Sequence, residues 1–274
     1  MGIVNVTPDS FSDGGRHAAA AEAVACCDRL VAEGAGILDI GGESTRPGSQ
    51  PPSVEVELAR VLPVVRHAVT LGVPVSVDTS QPVVIDAVLA AGADIVNDVR
   101  ALQLPGALAA VAAHASAGVC LMHMQGEPAT MQLAPHYRDV VDEVRAFLAG
   151  RMAAAQAAGV GSTRIVLDPG YGFGKSQEHN LTLFARQHEL LALGRPLLVG
   201  WSRKGMLGKL TGRTVDERQA ASVGAALAAV ARGARIVRVH DVAATVDALK
   251  VWNAAGLGSL PTSQDHNQDR RTSP

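Results

Sequence analysis

AGADIVND, at Ala91–Asp98, is the stretch that decides the fold, because it joins a helix end, a glycine turn and the start of an apolar run. The same arrangement recurs as EGAGILDI at Glu33–Ile40, LGVPVSVD at Leu71–Asp78 and RGARIVRV at Arg232–Val239. Glycine in such a turn supplies the left-handed conformation that caps a helix. A continuous apolar run predicts a strand that is buried on both faces of a parallel sheet. The repeated unit therefore predicts helices that alternate with parallel strands.

Eight apolar runs predict the strands, and six longer segments predict helices between them. The runs are Gly2–Val6, Ile37–Ile40, Val73–Val77, Ile95–Asn97, Val119–Met122, Ile165–Leu167, Leu197–Val199 and Ile236–Val239. The helical segments are Ala18–Gly34, Val54–Leu71, Pro82–Gly92, Tyr137–Gly159, Glu217–Gly233 and Ala243–Ala255. Eight strand–helix repeats predict an α/β fold, a single parallel eight-stranded (β/α)8 TIM barrel. The alternative, a doubly wound open sheet, would need a topological switch point.

Composition and charge narrow the classes of function. We expect one barrel domain over residues 1–258 and a disordered polar tail over residues 259–274. The formal net charge of −2 gives no basic excess for binding nucleic acid or an anionic membrane. No apolar run approaches the roughly 20 residues that span a bilayer, and no signal peptide precedes the first strand. With three cysteines that form no regular disulfide framework, these features predict a cytoplasmic protein with free thiols.

Polar residues stand at the end of every predicted strand, where a barrel of this class places its active site. They are Asn5, Asp39, Asp78, Asn97 followed by Asp98, His123, Asp168, the segment Ser202–Lys204, and Arg238 with His240. A single aspartate there is as readily a helix N-cap, and a single histidine is usually structural. Burying so many polar groups together is costly unless they meet a ligand or one another. Their convergence predicts an active site at the barrel mouth.

The residue types indicate the chemistry of the ligand. Asp78, Asn97 and Asp168 offer two carboxylates and an amide, which suit a heterocycle that presents both donors and acceptors. Cationic donors suited to phosphate or carboxylate are supplied by Arg46, Arg203, Lys204, Arg238 and His240. The pattern predicts a nitrogen heterocycle that carries phosphate.

Two other motifs suggest a nucleotide-phosphate loop and a zinc site, but neither has the residues or spacing that such a site requires. PGYGFGKS at Pro169–Ser176 resembles a nucleotide-phosphate loop, yet Pro169 occupies the place of the first glycine. His114, Cys120, His123 and His136 do not have the spacing of zinc ligands. Neither a nucleotide loop nor a structural zinc is expected.

Five blocks resemble the dihydropteroate synthase family, in its order and at fitting spacings. They are NVTPDSFSDGG at Asn5–Gly15, DIGGESTRPG at Asp39–Gly48, DPGYGFGK at Asp168–Lys175, WSRK at Trp201–Lys204 and VRVHDV at Val237–Val242. The resemblance covers about Gly2 to Ala255. It implies an enzyme that joins a pterin methyl diphosphate to p-aminobenzoate, with Mg²⁺ as cofactor and a homodimeric assembly.

The resemblance also implies roles for individual residues. The pterin and diphosphate site would comprise Thr45, Asp78, Asn97, Asp168, Lys204, Arg238 and His240. The p-aminobenzoate site would comprise Phe11, Thr45, Arg46, Pro47, Phe173, Lys204 and Gly205. Asn5 would meet the magnesium, and the catalytic group would be Asp9, Asp78, Lys204 and Arg238. Asp9, Ser10 and Phe11 match the family's mobile first loop, and Thr45, Arg46 and Pro47 its mobile second loop.

Two rival interpretations share parts of this pattern. A pterin-dependent methyltransferase has a similar barrel and a similar Asp–Asn–Asp pocket, but NVTPDSFSDGG and SRK at Ser202–Lys204 are features of the synthase. A non-catalytic paralogue would keep the fold and bind the pterin without turnover. A turnover assay would distinguish this paralogue from the synthase, because the paralogue would form no product.

Overall fold

The computed structural model describes residues 1–6, 13–44 and 48–258, except for the side chains of residues 13–18. Its strands are β1 (Gly2–Asn5), β2 (Leu38–Gly41), β3 (Val75–Asp78), β4 (Ile95–Asp98), β5 (Gly118–Met122), β6 (Ile165–Asp168), β7 (Leu197–Val199) and β8 (Ala234–Val237). They form one parallel sheet in the order of the sequence. A parallel bridge between Gly2 and Val239 joins the two ends of the sheet. The Ile3 N–H donates to the Val239 carbonyl at 3.0 Å, so the predicted barrel is confirmed.

Nine α-helices lie in the described part of the chain. They are α1 (Asp13–Ala32), α2 (Val54–Ala68), α3 (Pro82–Ala90), α4 (Ala107–Ala113), α5 (Val140–Ala157), α6 (Gln177–Ala185), α7 (Gly205–Thr211), α8 (Gln219–Ala231) and α9 (Val242–Ala254). The six predicted segments correspond to α1, α2, α3, α5, α8 and α9, and no segment was predicted at α4 or α6. These two helices span only seven and nine residues, too few for a helical periodicity to stand out. The family resemblance implies that Ser202–Gly205 opens a helix, and α7 begins at Gly205. No helix of the described residues is long and apolar enough to cross a membrane.

Some predicted boundaries were wrong, and two of the differences affect the site. Strand β8 ends at Val237, so Arg238 and His240 follow the strand and do not lie within it. Strand β2 continues to Gly41, so Asp39 lies inside the strand and is fully buried. The predicted tail, residues 259–274, lies outside the described residues.

The glycine units behave as the sequence predicts. Gly92 and Gly233 have φ values of +102° and +91°, a region that residues with a Cβ rarely adopt. Each turns the chain from a helix into the next strand. The apolar side chains of the strands then pack against the surrounding helices in one core, where Leu30, Leu38 and Ile85 are fully buried. Burial of each such side chain contributes about 2 kcal/mol, and the resulting rigid frame holds the strand ends at one rim.

Candidate active site

A buried network of charged and amide groups lies in the barrel, near the carboxyl ends of its strands. Arg238 donates from Nε to Asp39 Oδ2 at 2.6 Å and from Nη2 to Asp78 Oδ2 at 3.2 Å. The Asn97 amide donates to the same Asp39 oxygen at 3.2 Å. Strands that are far apart in sequence thus place two carboxylates, one guanidinium and one amide within contact of each other.

Burial and the neighbouring charges set the pKa values of the groups in this network, and therefore their charges. It raises the pKa of Asp78 to about 8; Arg238 opposes the rise, and Asp39, Glu43 and Asp98 add to it. Burial alone would lower the pKa of Arg238, but the carboxylates of Asp39 and Asp78 raise it above its ordinary value. At neutral pH the network therefore combines a permanent cation with an Asp78 side chain that can hold a proton. Such a side chain can both donate and accept a hydrogen bond.

A second cluster joins the loop after β6 to the loop after β7. Asp168 Oδ1 accepts from the Gly170 N–H at 2.7 Å, and burial raises the pKa of Asp168. The Lys204 ammonium donates to the Tyr171 carbonyl and lies 4.8 Å from the centre of the Phe173 ring. Burial lowers the pKa of Lys204 to about 8, although the nearby Asp168 carboxylate raises it. Lys204 is thus a cation beside an aromatic face that also experiences the charge of the Asp168 carboxylate.

An apolar wall borders these polar groups. Val99, Met122, Met124 and Met131 form a small buried cluster, and Phe173 packs against it. The cluster includes the end of β5 and the residue after β4, so it lies at the same rim as Asp78 and Asn97. A flat ring could therefore rest on apolar atoms while its edge meets polar ones.

Buried Lys175 holds the loop that carries Phe173. Its Nζ donates to the carbonyls of Gly170 at 2.9 Å and Phe173 at 3.1 Å, and lies 2.9 Å from His123 Nδ1. Burial sets the pKa of Lys175 well below its ordinary value. Burial also lowers the pKa of His123 to about 2, so His123 is a neutral structural partner.

Replacement of Lys175 by methionine is expected to lower the free energy of unfolding by about 1–3 kcal/mol, because the Gly170 and Phe173 carbonyls both lose the hydrogen bond from Lys175. Urea denaturation followed by circular dichroism measures the change. Lys250→Met is the matched control, since the Lys250 side chain is 74% exposed. Equal stability of the two variants would contradict a structural role for Lys175.

The other side of the mouth is a polar pocket between α1 and the loops after β7 and β8. Its volume is about 440 Å³, and its lining includes Asn5, Arg203, His240 and Asp241. Arg203 forms an ion pair with Asp241 at 2.6 Å, and His240 Nδ1 lies 3.0 Å from Ser202 Oγ. The pocket offers donors and the Arg203 cation next to the carboxamide of Asn5, and its lining also includes the acidic residues Glu22, Glu33 and Asp241.

A third group of charges anchors the base of the loop after β2. Arg100 binds Glu43 Oε1 at 3.2 Å and Glu127 Oε2 at 3.0 Å. Behind it, Glu57 is only 1% exposed. Burial raises the pKa of Glu57 to about 7; Glu43 adds to the rise, while Thr79, Arg100 and Arg60 oppose it.

The raised pKa of Glu57 has a consequence for stability. Because the folded state binds this proton more tightly, the contribution of Glu57 is fully present below about pH 4.5 and is lost as the pH rises to about 7. Glu57→Gln cannot ionise, so its free energy of unfolding at pH 8 is expected to exceed that of the wild type by up to about 3 kcal/mol. Urea denaturation at pH 5 and pH 8 measures the difference. Glu55→Gln, an exposed position of the same helix, should keep the wild-type pH dependence; identical slopes for all three proteins would refute the prediction.

The structure brings most of the predicted site residues to one rim. Asp78, Asn97, Asp168, Phe173, Lys204 and Arg238 surround the network and the apolar wall, while Asn5, Gly205 and His240 lie at its edge. Asp9, Ser10, Phe11, Thr45, Arg46 and Pro47 lie outside the described residues.

Three residues of the site received no role from the sequence. Asp39 binds both Arg238 and Asn97, Lys175 braces the Phe173 loop, and Arg100 holds Glu43. The signal for Asp39 was its place in an apolar strand, since an acid there needs a buried partner. Tyr171 is structural, because its hydroxyl donates to Gln187 Oε1 at 3.1 Å in the core.

The chain is similar to known proteins of one family over most of its length. The sequence profile of a family described as pterin binding enzyme matches residues 1–240. A dihydropteroate synthase of Neisseria meningitidis serogroup C is 55% identical over 261 residues, covering 94% of this chain and 92% of the relative. A Xanthomonas albilineans dihydropteroate synthase structure with 4-aminobenzoic acid superposes with a TM-score of 0.87 at 54% identity, covering 95% of this chain and 93% of that one. A second structure from that organism, in complex with 7,8-dihydropteroate, gives 0.84 at 52% identity, covering 95% and 94%.

The barrel and the groups at its mouth thus define a pterin-binding barrel enzyme. Within that class the chain belongs to the dihydropteroate synthase family, which makes it a transferase.

Proposed function

We propose that the barrel mouth condenses 6-hydroxymethyl-7,8-dihydropterin diphosphate with p-aminobenzoate, giving 7,8-dihydropteroate and diphosphate. The observation that carries the proposal is the convergence of Asp78, Asn97, Asp168, Lys204 and Arg238 on one rim beside an apolar wall. Relatives with the same architecture hold 4-aminobenzoic acid and 7,8-dihydropteroate.

The pterin ring binds between the polar network and the apolar wall. Its edge presents amino, N–H and carbonyl groups, which match the carboxylates of Asp78 and Asp168 and the amide of Asn97. Lys204 adds a donor above the same pocket. Because the ring is recognised by buried groups, an analogue that lacks one of its hydrogen-bonding groups leaves a partner unsatisfied and binds weakly.

The diphosphate lies toward Arg238, His240 and the polar pocket, and the family resemblance assigns Thr45 to the same substrate. Asn5 lines this pocket and offers a carboxamide oxygen, a hard ligand of the type that Mg²⁺ takes along with phosphate oxygens and water. A magnesium ion held there would neutralise charge on the leaving diphosphate. The described residues contain no cluster of three or more acidic, imidazole or thiol ligands, and an ion carried by the substrate needs only one protein oxygen.

The p-aminobenzoate ring packs against Phe173 and the Lys204 side chain, at the rim where α7 begins. A Cβ built on Gly205 would meet no atom within 4 Å, so this position leaves room for the carboxylate. The family resemblance assigns Phe11, Thr45, Arg46 and Pro47 to the same site.

The chemistry is a substitution at the pterin methylene carbon. The bond from this carbon to the diphosphate oxygen breaks, the aniline nitrogen forms the new bond, and that nitrogen then loses one proton. Arg238, His240 and Lys204 stabilise the charge that develops on the leaving group, while the Asp9 carboxylate stabilises the electron-poor pterin carbon and Asp78 orients the ring through its hydrogen bonds. Positioning of the two substrates supplies the rest of the acceleration, and no covalent enzyme intermediate is required.

The same proposal includes a cytoplasmic homodimer. Cys26, Cys27 and Cys120 are free thiols, which suits a reducing compartment. Leu210 in α7 and Val215 shortly after this helix are 54% and 49% exposed, which supports an interface through this wall of the barrel.

A turnover assay on purified protein tests the proposal, with pterin methyl diphosphate, p-aminobenzoate and Mg²⁺ as reactants. Dihydropteroate and diphosphate should appear in equal amounts and only when Mg²⁺ is present. A folded protein that binds the pterin but forms no product would favour a non-catalytic paralogue. Methyl transfer to a corrinoid protein would favour the methyltransferase.

A further inference from the structure

Asp39 is a buried acid beneath the substrate groups, and the reaction above gives it no direct role. Its side chain is fully buried within β2. One oxygen, Oδ2, accepts from Arg238 at 2.6 Å and from Asn97 at 3.2 Å. The other oxygen, Oδ1, has no hydrogen-bond partner among the described residues. A buried carboxylate of this kind lowers the free energy of unfolding unless its hydrogen bonds and ion pairs offset the penalty of desolvation.

The two partners of Asp39 lie on either side of it around the barrel. Arg238 follows β8, two strands from β2 in one direction, and Asn97 lies in β4, two strands away in the other. Among the described residues, the Asn97 amide donates only to Asp39, and the second contact of Arg238, to Asp78 at 3.2 Å, is longer than its contact with Asp39. Asp39 therefore links the group proposed for the diphosphate to a group proposed for the pterin ring.

We infer that Asp39 is a positioning residue: it fixes the Arg238 guanidinium and the Asn97 amide so that their other donors face the pterin diphosphate. Its negative charge is the close counter-charge of Arg238, which leaves the Asp78 side chain available for the ligand. Holding both groups before substrate arrives reduces the ordering that binding must supply. This inference rests on the proposed function, because it assumes the substrate of that reaction.

Asp39→Asn tests the inference, because it keeps the shape and removes the charge. We expect kcat/KM for pterin diphosphate to fall roughly 30- to 100-fold, mainly through KM, while the KM for p-aminobenzoate stays unchanged. Ser76→Ala is the matched control: Ser76 is in register with Asp39 on β3 and fully buried, and its hydroxyl contacts neither partner. It should leave both KM values at the wild-type level.

A double-mutant cycle between Asp39 and Arg238 distinguishes a positioning role of Asp39 from a general loss of structure. If Asp39 acts through Arg238, Asp39→Asn should weaken pterin diphosphate binding much less in an Arg238→Lys background than in the wild type, as measured by calorimetry. A folded Asp39→Asn variant with the wild-type KM for pterin diphosphate would overturn the inference, and so would fully additive effects. If Asp39→Asn does not fold, Asp39→Glu, which displaces the carboxylate by one methylene, must show the same selective rise in KM. Inactive wild-type protein would instead count against the proposed function.

Discussion

Lys204→Ala is expected to lower kcat/KM roughly 10²–10³-fold, the loss associated with one preorganised donor at a developing charge. Lys204 is the residue shared by the proposed pterin and p-aminobenzoate sites. Its Nζ lies 4.8 Å from the Phe173 ring centre and close to the Asp168 carboxylate. Removal of the side chain therefore takes a cation from one substrate and a packing surface from the other. Steady-state kinetics with each substrate varied in turn measure the effect.

Lys209→Ala is the matched control, because Lys209 lies on α7 with its side chain exposed. It should have wild-type kinetics. A Lys204→Ala variant that loses less than about tenfold in kcat/KM would contradict the assigned role, since that corresponds to only about 1.4 kcal/mol of transition-state stabilisation.

The pH dependence of kcat/KM in the wild type should also reflect the ionisation of Lys204. Burial lowers the pKa of Lys204 to about 8, so the ammonium form is lost as the pH rises through 8. We expect kcat/KM to fall above that pH. Asp78 also has a pKa of about 8, so the two groups must be separated. Lys204→Arg keeps its charge, and a falling limb that persists in this variant would assign it to Asp78.

The barrel and many of the residues at its mouth could be predicted from the sequence for one physical reason. Parallel strands end at a common rim, so Asp78, Asn97 and Asp168 had to lie close together once eight strands were recognised. The glycine units marked the helix-to-strand turns before β2, β3, β4 and β8. The short helices α4 and α6 were not predicted, because their seven and nine residues show no clear helical periodicity.

The contacts beneath the rim could not be predicted in the same way. Lysine is almost never fully buried, and only the fold shows that Lys175 finds its acceptors on Gly170 and Phe173. The pairing of Arg238 with Asp39 joins residues 199 positions apart, and it depends on the barrel closing through Gly2 and Val239. Sequence spacing holds no information on such a contact.

Arg238→Ala should affect both stability and activity, because Arg238 joins the scaffold to the substrate site. The change leaves Asp39 fully buried with only the Asn97 amide as a partner. Loss of one member of a buried pair costs about 3–5 kcal/mol in the free energy of unfolding. Asp78 also loses the cation that opposes the rise of its pKa, so its proton should be held to a higher pH.

Urea denaturation and turnover are therefore measured on the same samples. We expect Arg238→Ala to unfold at a clearly lower urea concentration, and to lose turnover even under conditions where it is folded, because the diphosphate has lost its buried cation. Arg235→Ala is the matched control, since Arg235 lies on β8, the strand that directly precedes Arg238, with its side chain exposed. Full stability combined with lost turnover would limit Arg238 to catalysis, whereas full turnover in a destabilised protein would limit it to the scaffold. The hydrogen bonds to Asp39 and Asp78 require both losses together, because the same guanidinium neutralises the buried acid and faces the ligand.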